Sequence, residues 1–137
     1  MKPKILLTLI TVIIVIIAFW FFSERMKTIK WAKAIAREAV AEIYVAKLDA
    51  ALRSYAAQFN NPPTTQQGLA ALVAKPTVEP IPPKWIKFDG IGEKIERDPW
   101  GMDYHYEYPG KHNQRGFDIF SSGPDRTPGT EDDIGNW

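Results

Sequence analysis

The chain has 137 residues and a formal net charge of +1, so its overall charge does not point to nucleic acid or another polyanion as a partner. It contains no cysteine, which excludes disulfide bonds, thiolate nucleophiles and cysteine-ligated zinc sites. The length is enough for one compact domain and a membrane anchor.

The first element is an uncharged apolar segment over residues 5–22. As a helix it would span roughly 27 Å, close to the hydrocarbon thickness of a bilayer. The aromatic residues at its end, 19–22, are typical of a membrane–water interface. A cleaved secretory signal would have a shorter apolar run and a small-residue cleavage site. We therefore predict an uncleaved transmembrane helix over 5–22, with residues 1–4 as a cytoplasmic tip.

More basic residues follow the apolar segment than precede it. Lys2 and Lys4 come before it, whereas five lysine and arginine residues lie between positions 25 and 37. By the positive-inside rule alone, this distribution favours a cytoplasmic location for the rest of the chain.

A long helix is predicted from residue 23 to about Phe59. This stretch contains no glycine or proline and is rich in alanine and charged residues. We assign residues 23–44 to a helical stalk, which would pack against copies of itself or act as a rigid spacer. From residue 45 an apolar stripe at spacings of three and four predicts a face buried in a globular domain, 45–137. The stripe consists of Val45, Leu48, Leu52, Tyr55 and Phe59.

A second, shorter helix is predicted to begin after Pro63. Thr64 and Gln67 have the spacing of a capping box, and Lys75-Pro76 would end the helix. Residues 76–84 contain four prolines and predict a stiff connector. After it, three apolar residues are expected to return to the core: Trp85, Ile86 and Phe88.

Two strands follow a turn at Asp98-Pro99-Trp100-Gly101. Residues 104–108 alternate with tyrosines on one face, and residues 117–121 form a second short apolar run. The short intervening loop predicts an antiparallel hairpin. The predicted class is α+β, with a long helix packed on a small antiparallel sheet.

The loop over residues 122–134 holds four carboxylates and almost no apolar side chain. A hard cation such as calcium, bound by Asp125, Asp132 and Asp133 together with backbone carbonyls, would neutralise it. From the chemistry of these residues alone, a solvated acidic loop is favoured over a metal site. Outside this loop, we predict that Asp98 caps the turn at 98–101 and that the two histidines, His105 and His112, lie on the surface. The sequence contains no nucleophile and base in an arrangement that would indicate an enzyme.

Four blocks of sequence carry a family resemblance: LDAAL at 48–52 with Tyr55, PTTQQGL at 63–69 with Ala71 and Leu72, RDPWG at 97–101 with Tyr104, Tyr106 and Pro109-Gly110, and DIFSSGPD at 118–125 followed by DDIGNW at 132–137. Together with one N-terminal apolar span, they resemble the major pseudopilin of type II secretion systems. This resemblance covers roughly residues 45–137.

The resemblance implies a pilin-like fold and a helical filament in the periplasm, built by packing N-terminal helices of identical subunits. It implies a single-pass inner-membrane location, with partners among the other pseudopilins, the inner-membrane assembly components and the lipid bilayer, and none among nucleic acids. It also implies an ordered calcium loop. The matching ligands are Asp125, Asp132 and Asp133, with backbone oxygens from Ser122 and Thr130.

The N-terminus departs from the family pattern, which begins with Gly-Phe-Thr-Leu-Ile-Glu and is cut after the glycine. The best alignment here places Leu6 at the glycine and Thr11 at the glutamate, with Leu7, Thr8, Leu9 and Ile10 between them. Leu6 should block cleavage, and Thr11 avoids placing a charge in the membrane. The alternative function is therefore an uncleaved, membrane-anchored binding module, stabilised by calcium, that does not polymerise.

Overall fold

The computed structural model describes residues 3–88 and 90–137, with side chains from residue 11 onward. Residue contacts divide the chain into two units, Met1–Ala36 and Arg37–Trp137. The elements in chain order are helix α1 (Pro3–Phe59), a short 3-10 helix (Leu69–Leu72), and strands β1 (His105–Glu107), β2 (Asp118–Ser121) and β3 (Ile134–Gly135).

Helix α1 ends where the sequence predicts. Asn60 adopts a left-handed conformation, with φ at 66°, which reverses the chain direction after Phe59. Two prolines follow at positions 62 and 63, and neither has the N–H that a continuing helix would need. The predicted helix over 23–59 is therefore confirmed.

In the first unit, every side chain from residue 11 to residue 36 is exposed except that of Ser23, which is half-buried. Over the part of the chain that the structure describes, no helix is apolar and long enough to cross a membrane. Residues 5–10 of the predicted span lie outside the residues whose side chains are described.

In the second unit, the predicted apolar stripe of α1 forms the centre of the core. Leu48 and Leu52 are fully buried, and Val45 and Tyr55 are nearly so. The Tyr55 ring contacts the rings of Phe59 and Phe88, with centroid distances of 4.7 and 5.5 Å. The other buried apolar side chains of this core are Ala51 on α1 and seven that follow the helix: Leu69, Ala71, Leu72, Ile91, Tyr104, Phe117 and Ile119.

The sheet has three antiparallel strands in the order β1-β2-β3. The β1–β2 hairpin is confirmed, and its register pairs Tyr106 with Ile119. Strand β3, which pairs Ser121 with Ile134, was not predicted from the sequence. A long helix packed on a small antiparallel sheet confirms the α+β class.

Two local predictions were wrong. The second helix is only the four-residue 3-10 helix, although its capping box forms: the Thr64 N–H donates to Gln67 Oε1 (2.9 Å) and the Gln67 N–H to Thr64 Oγ1 (3.2 Å). The Gln67 amide also donates to the Val78 and Pro80 carbonyls, so Gln67 is used to hold the proline connector. Ile86 is 56% exposed and does not join the core, unlike Phe88.

Candidate functional site

The C-terminal loop, residues 122–133, connects β2 to β3. Its first residue, Ser122, is fully buried, and its hydroxyl oxygen lies 2.7 Å from His105 Nε2 on β1. Gly123 has φ at 62°, and a Cβ at this position would overlap the carbonyl oxygen of Asp132. The start and the end of the loop therefore touch, and only glycine fits at their contact.

Asp132 closes the loop through its side chain. Its Oδ2 accepts the Asp125 N–H at 3.0 Å, and its Oδ1 accepts the Thr130 hydroxyl at 2.6 Å. The hydrogen bond from Thr130, followed by that from the Asp125 backbone, lowers the pKa of Asp132 below its ordinary value. This carboxylate is thus kept ionised.

Asp125 and Asp133 bind backbone groups of the same loop. Asp125 Oδ1 accepts the Thr127 N–H, and Asp133 Oδ2 accepts the Gly129 N–H, each at 2.7 Å. The second oxygen of Asp133, Oδ1, is buried without a hydrogen-bond partner. Buried polar atoms are nearly always paired, so an unpaired carboxylate oxygen indicates a position where a cation or a water molecule would bind.

The residues of the loop fit a calcium ion by their chemistry. All the predicted side-chain ligands are carboxylates, and calcium takes six to eight oxygens in flexible geometry, including backbone carbonyls. Within the described residues, no three carboxylate or imidazole side chains are grouped to hold one metal ion. Carbonyls such as those of Ser122 and Thr130 would have to complete the coordination, and the Thr130 carbonyl accepts the Asp133 N–H at 3.3 Å.

Asp118, a buried carboxylate outside the predicted site, holds the loop between β1 and β2 through hydrogen bonds. Asp118 is 2% exposed and accepts the N–H groups of His112 and Asn113, at 2.8 and 2.9 Å, and the Asn113 side-chain amide at 3.0 Å. Burial raises its pKa, but these hydrogen bonds outweigh burial, and the pKa is lowered overall.

Asn136 ties the C-terminus to both the sheet and α1. Its Oδ1 accepts the Ile119 N–H (3.1 Å), and its Nδ2 donates to Asp49 Oδ1 on α1 (3.0 Å). Beside it, the Trp137 ring stacks on His112 with a centroid distance of 3.8 Å. The roles of Asp118 and Asn136 were missed from the sequence. The sequence offered one indication of the role of Asp118: it is a charged residue between two apolar residues of the predicted strand, Phe117 and Ile119.

Asp98 acts as the predicted turn cap. Its Oδ1 accepts the N–H groups of Trp100 (3.0 Å) and Met102 (2.7 Å), and its Oδ2 accepts the Ser121 hydroxyl. Of the two histidines predicted to lie on the surface, His112 is exposed, whereas His105 is half-buried and contacts Ser122.

The predicted processing residues lie at the N-terminal end of the chain. Thr11 lies in α1, and the side chains of the others are outside the described residues: Leu6, Leu7, Thr8, Leu9 and Ile10.

Comparison with known proteins places most of the chain in one family. The family model described as "Type II secretion system (T2SS), protein G" matches residues 29–137. The type II secretion system core protein G of Pectobacterium carotovorum is 50% identical over 105 residues, which cover 77% of this chain and 64% of that relative. The protein of the same name from Escherichia coli K12 is 42% identical over 105 residues, or 77% of this chain and 69% of the relative.

A solved structure agrees with these matches. The crystal structure of the major pseudopilin from the type 2 secretion system of enterohaemorrhagic Escherichia coli is 44% identical, with a TM-score of 0.68. The match covers 77% of this chain and 87% of that chain. The chain thus spans most of the solved pseudopilin but less than two thirds of the length of the Pectobacterium relative.

Proposed function

The chain belongs to the protein G family of the type II secretion system, and we propose that it is a structural subunit of the pseudopilus rather than an enzyme. The observation that carries this proposal is the shared fold and 44% identity with a crystal structure described as a major pseudopilin. In this role it joins a periplasmic filament with copies of itself and with other pseudopilins, and the filament drives protein export.

Exposed apolar side chains on α1 support assembly through this helix. Ile35, Val40 and Ile43 are 44%, 56% and 70% exposed. A group of exposed apolar side chains on one helix is typical of a surface that a partner covers. Packing of α1 against the same helix of neighbouring subunits would cover them without using the globular core.

The anchor is part of the same proposal. The apolar run over 5–22 has the length and the aromatic end that a single transmembrane helix requires. We place this run in the inner membrane and the domain that follows it in the periplasm, together with the inner-membrane components that assemble the filament.

We further propose that the C-terminal loop binds calcium through Asp125, Asp132 and Asp133. The support is the buried, unpaired Oδ1 of Asp133 and the concentration of carboxylates in one loop. A bound cation would supply the positive charge that this loop lacks and would stabilise its closure on Gly123. Since the chain has no disulfide, a metal is the cross-link available to it.

Assembly is tested with cysteine cross-linking, because the chain has no cysteine of its own. Single cysteines replace Ile35 or Ile43, and the membranes that contain the full chain are oxidised. We expect covalent dimers from these variants and none from Gln66→Cys, an exposed position outside α1. Electron microscopy of the same membranes should show filaments. Monomers throughout, with no filaments, would favour the non-polymerising module, and intact mass would show whether the N-terminus is cut.

Calcium binding is tested by the melting temperature with and without a chelator. A ligand at a hundredfold excess over its Kd stabilises the native state by about 2.7 kcal/mol, so the chelator should lower the melting temperature by several degrees. Asp133→Ala should abolish that difference. Asp103→Ala, which removes an exposed carboxylate outside the loop, should preserve it. Equal melting of the unchanged chain in both conditions would exclude a calcium site.

A further inference from the structure

One face of α1 changes from aromatic to basic along its length. Phe19, Phe22, Met26, Ile29 and Lys33 recur at alternating spacings of three and four, which places them on the same face of the helix. The four apolar members are between 43% and 72% exposed. With Lys30 beside them, they line a shallow groove along the helix. The groove therefore has an apolar end and a cationic end.

The cationic end carries a local excess of charge that the rest of the chain does not. Residues 23–36 contain four exposed basic residues and one acidic residue, in a chain whose net charge is only +1. Glu24 forms an ion pair with Lys27 at 2.7 Å, which partly neutralises that lysine. The remaining cations are Arg25, Lys30 and Lys33.

From this arrangement we propose that residues 23–33 bind anionic phospholipid headgroups, while Phe19, Phe22 and Met26 lie at the boundary with the acyl chains. This inference rests on the proposed membrane anchor and adds to it a lipid class and a binding face. Aromatic side chains favour the interfacial region, and lysines extend their ammonium groups from an apolar surface toward phosphates. The partner is the membrane surface itself, recognised through its negative charge.

The lengths involved agree with this placement. Measured along the helix from residue 22, Lys27 lies at about 7 Å and Lys30 at about 12 Å. The headgroup layer of one leaflet is roughly 5 to 8 Å thick. Because helical side chains lean toward the N-terminus, both lysines can reach back to the phosphates. Lys33, at about 16 Å, stays close enough to act electrostatically through a screening length of about 8 Å.

Anionic lipid would also reduce the repulsion between basic segments of neighbouring subunits in an assembled filament. Copies of α1 packed side by side would bring their basic segments together, and like charges repel. Headgroups between the helices would neutralise them. The same contact explains why so many basic residues follow a span whose domain we place in the periplasm, against the positive-inside distribution.

The first experiment separates the anchor from the lipid preference. The full chain is reconstituted with vesicles of phosphatidylcholine alone, or of phosphatidylcholine and phosphatidylglycerol in equal parts, and then floated. Flotation with both kinds, resistant to high salt, supports the anchor. Flotation with the anionic vesicles alone would overturn the anchor and support headgroup binding. No flotation with either would overturn both proposals.

The second experiment measures the preference itself. Native mass spectrometry of the full chain in detergent, with both lipids added at equal concentration, reports the retained lipid. Each basic residue near an anionic surface increases the binding affinity about fivefold. We therefore expect at least a tenfold preference for phosphatidylglycerol over phosphatidylcholine, and this preference should weaken as the salt concentration rises. Equal retention of the two lipids by the unchanged chain would overturn the inference and leave the anchor standing.

A charge-matched pair of variants locates the binding face. Replacing all four basic residues of 23–36 with glutamine should remove the preference. The control replaces four exposed basic residues of the second unit with glutamine and should retain it: Lys75, Lys84, Lys94 and Arg115. A preference lost equally in both variants, or displaced by excess inorganic phosphate, would show a nonspecific charge effect and would contradict a lipid-binding face.

Discussion

Two parts of the second unit are stabilised by different interactions. The core around α1 is apolar, and Leu48, Leu52 and Leu72 are fully buried in it. The C-terminal part, from residue 109 onward, is fastened by carboxylates and amides that accept and donate individual hydrogen bonds, such as those of Asp118 and Asn136. Burial is nondirectional, whereas each hydrogen bond needs one partner at one distance.

This difference determines how each part should respond to substitution. In the core, the free energy of unfolding should follow the volume of side chain removed. In the C-terminal part, it should follow the number of donors left without an acceptor, whatever the size of the side chain. The predictions below test this contrast, beginning with the largest expected effect.

Leu52→Ala should cost about 3 kcal/mol of the free energy of unfolding, since it removes a fully buried side chain and leaves a cavity. Urea unfolding followed by tryptophan fluorescence measures this loss. Ile43→Ala on the same helix is the matched control. Ile43 is 70% exposed, so its truncation should change stability by less than about 0.5 kcal/mol. Equal losses from the two variants would contradict the assignment of the stripe as core.

Asp118→Ala should cost about 2 kcal/mol, because two backbone N–H groups and one side-chain amide lose their acceptor. The same unfolding experiment measures the loss. Asp103→Ala, which removes an exposed carboxylate, is the control and should be nearly neutral. A loss no larger than that of the control would show that these hydrogen bonds contribute little.

The effect of Asp118 should also depend on pH. Its pKa in the folded state is lowered, so the unfolded chain takes up the proton first as the pH falls. The stabilisation is therefore fully present above the ordinary aspartate pKa of about 3.9, and it is lost as the pH falls through the lower folded value. The difference between the unchanged chain and Asp118→Ala should shrink over that interval. A constant difference would assign the effect to packing.

The same contrast explains what the sequence could and could not predict. The stripe from Val45 to Phe59 and the β1–β2 hairpin follow from periodicity, which reports burial. Strand β3 has two residues, too few for an alternation to be visible. The contacts of Asp118 and Asn136 join residues that are 5 to 87 positions apart, and no local pattern encodes them. The carboxylates of the C-terminal loop suggested candidate calcium ligands, but only the family resemblance favoured a calcium site over a solvated acidic loop.

Asn136→Ala should cost about 1 kcal/mol, less than Asp118→Ala, because Asn136 is half-buried and water can replace some of its partners. It removes an acceptor from the Ile119 N–H and a donor from Asp49. Hydrogen exchange of the Ile119 amide gives a local measurement, and protection there should fall more than at Leu52. Unchanged protection at Ile119 would mean that the C-terminus is held by Trp137 and its stacking on His112.

Arg53→Gln should have the smallest effect, about 0.3 kcal/mol. The Arg53 side chain is 70% exposed, and its pair with Asp49 at 2.6 Å lies within one turn of α1, where such pairs contribute little. Asp49 also accepts a hydrogen bond from Asn136. Removing both partners should therefore lower the free energy of unfolding by more than the sum of the two single losses. A double-mutant cycle of Arg53→Gln with Asn136→Ala measures that coupling in urea. A coupling of zero would show that Asp49 serves Arg53 and Asn136 independently, and that the exposed ion pair adds nothing to the polar network at the C-terminus.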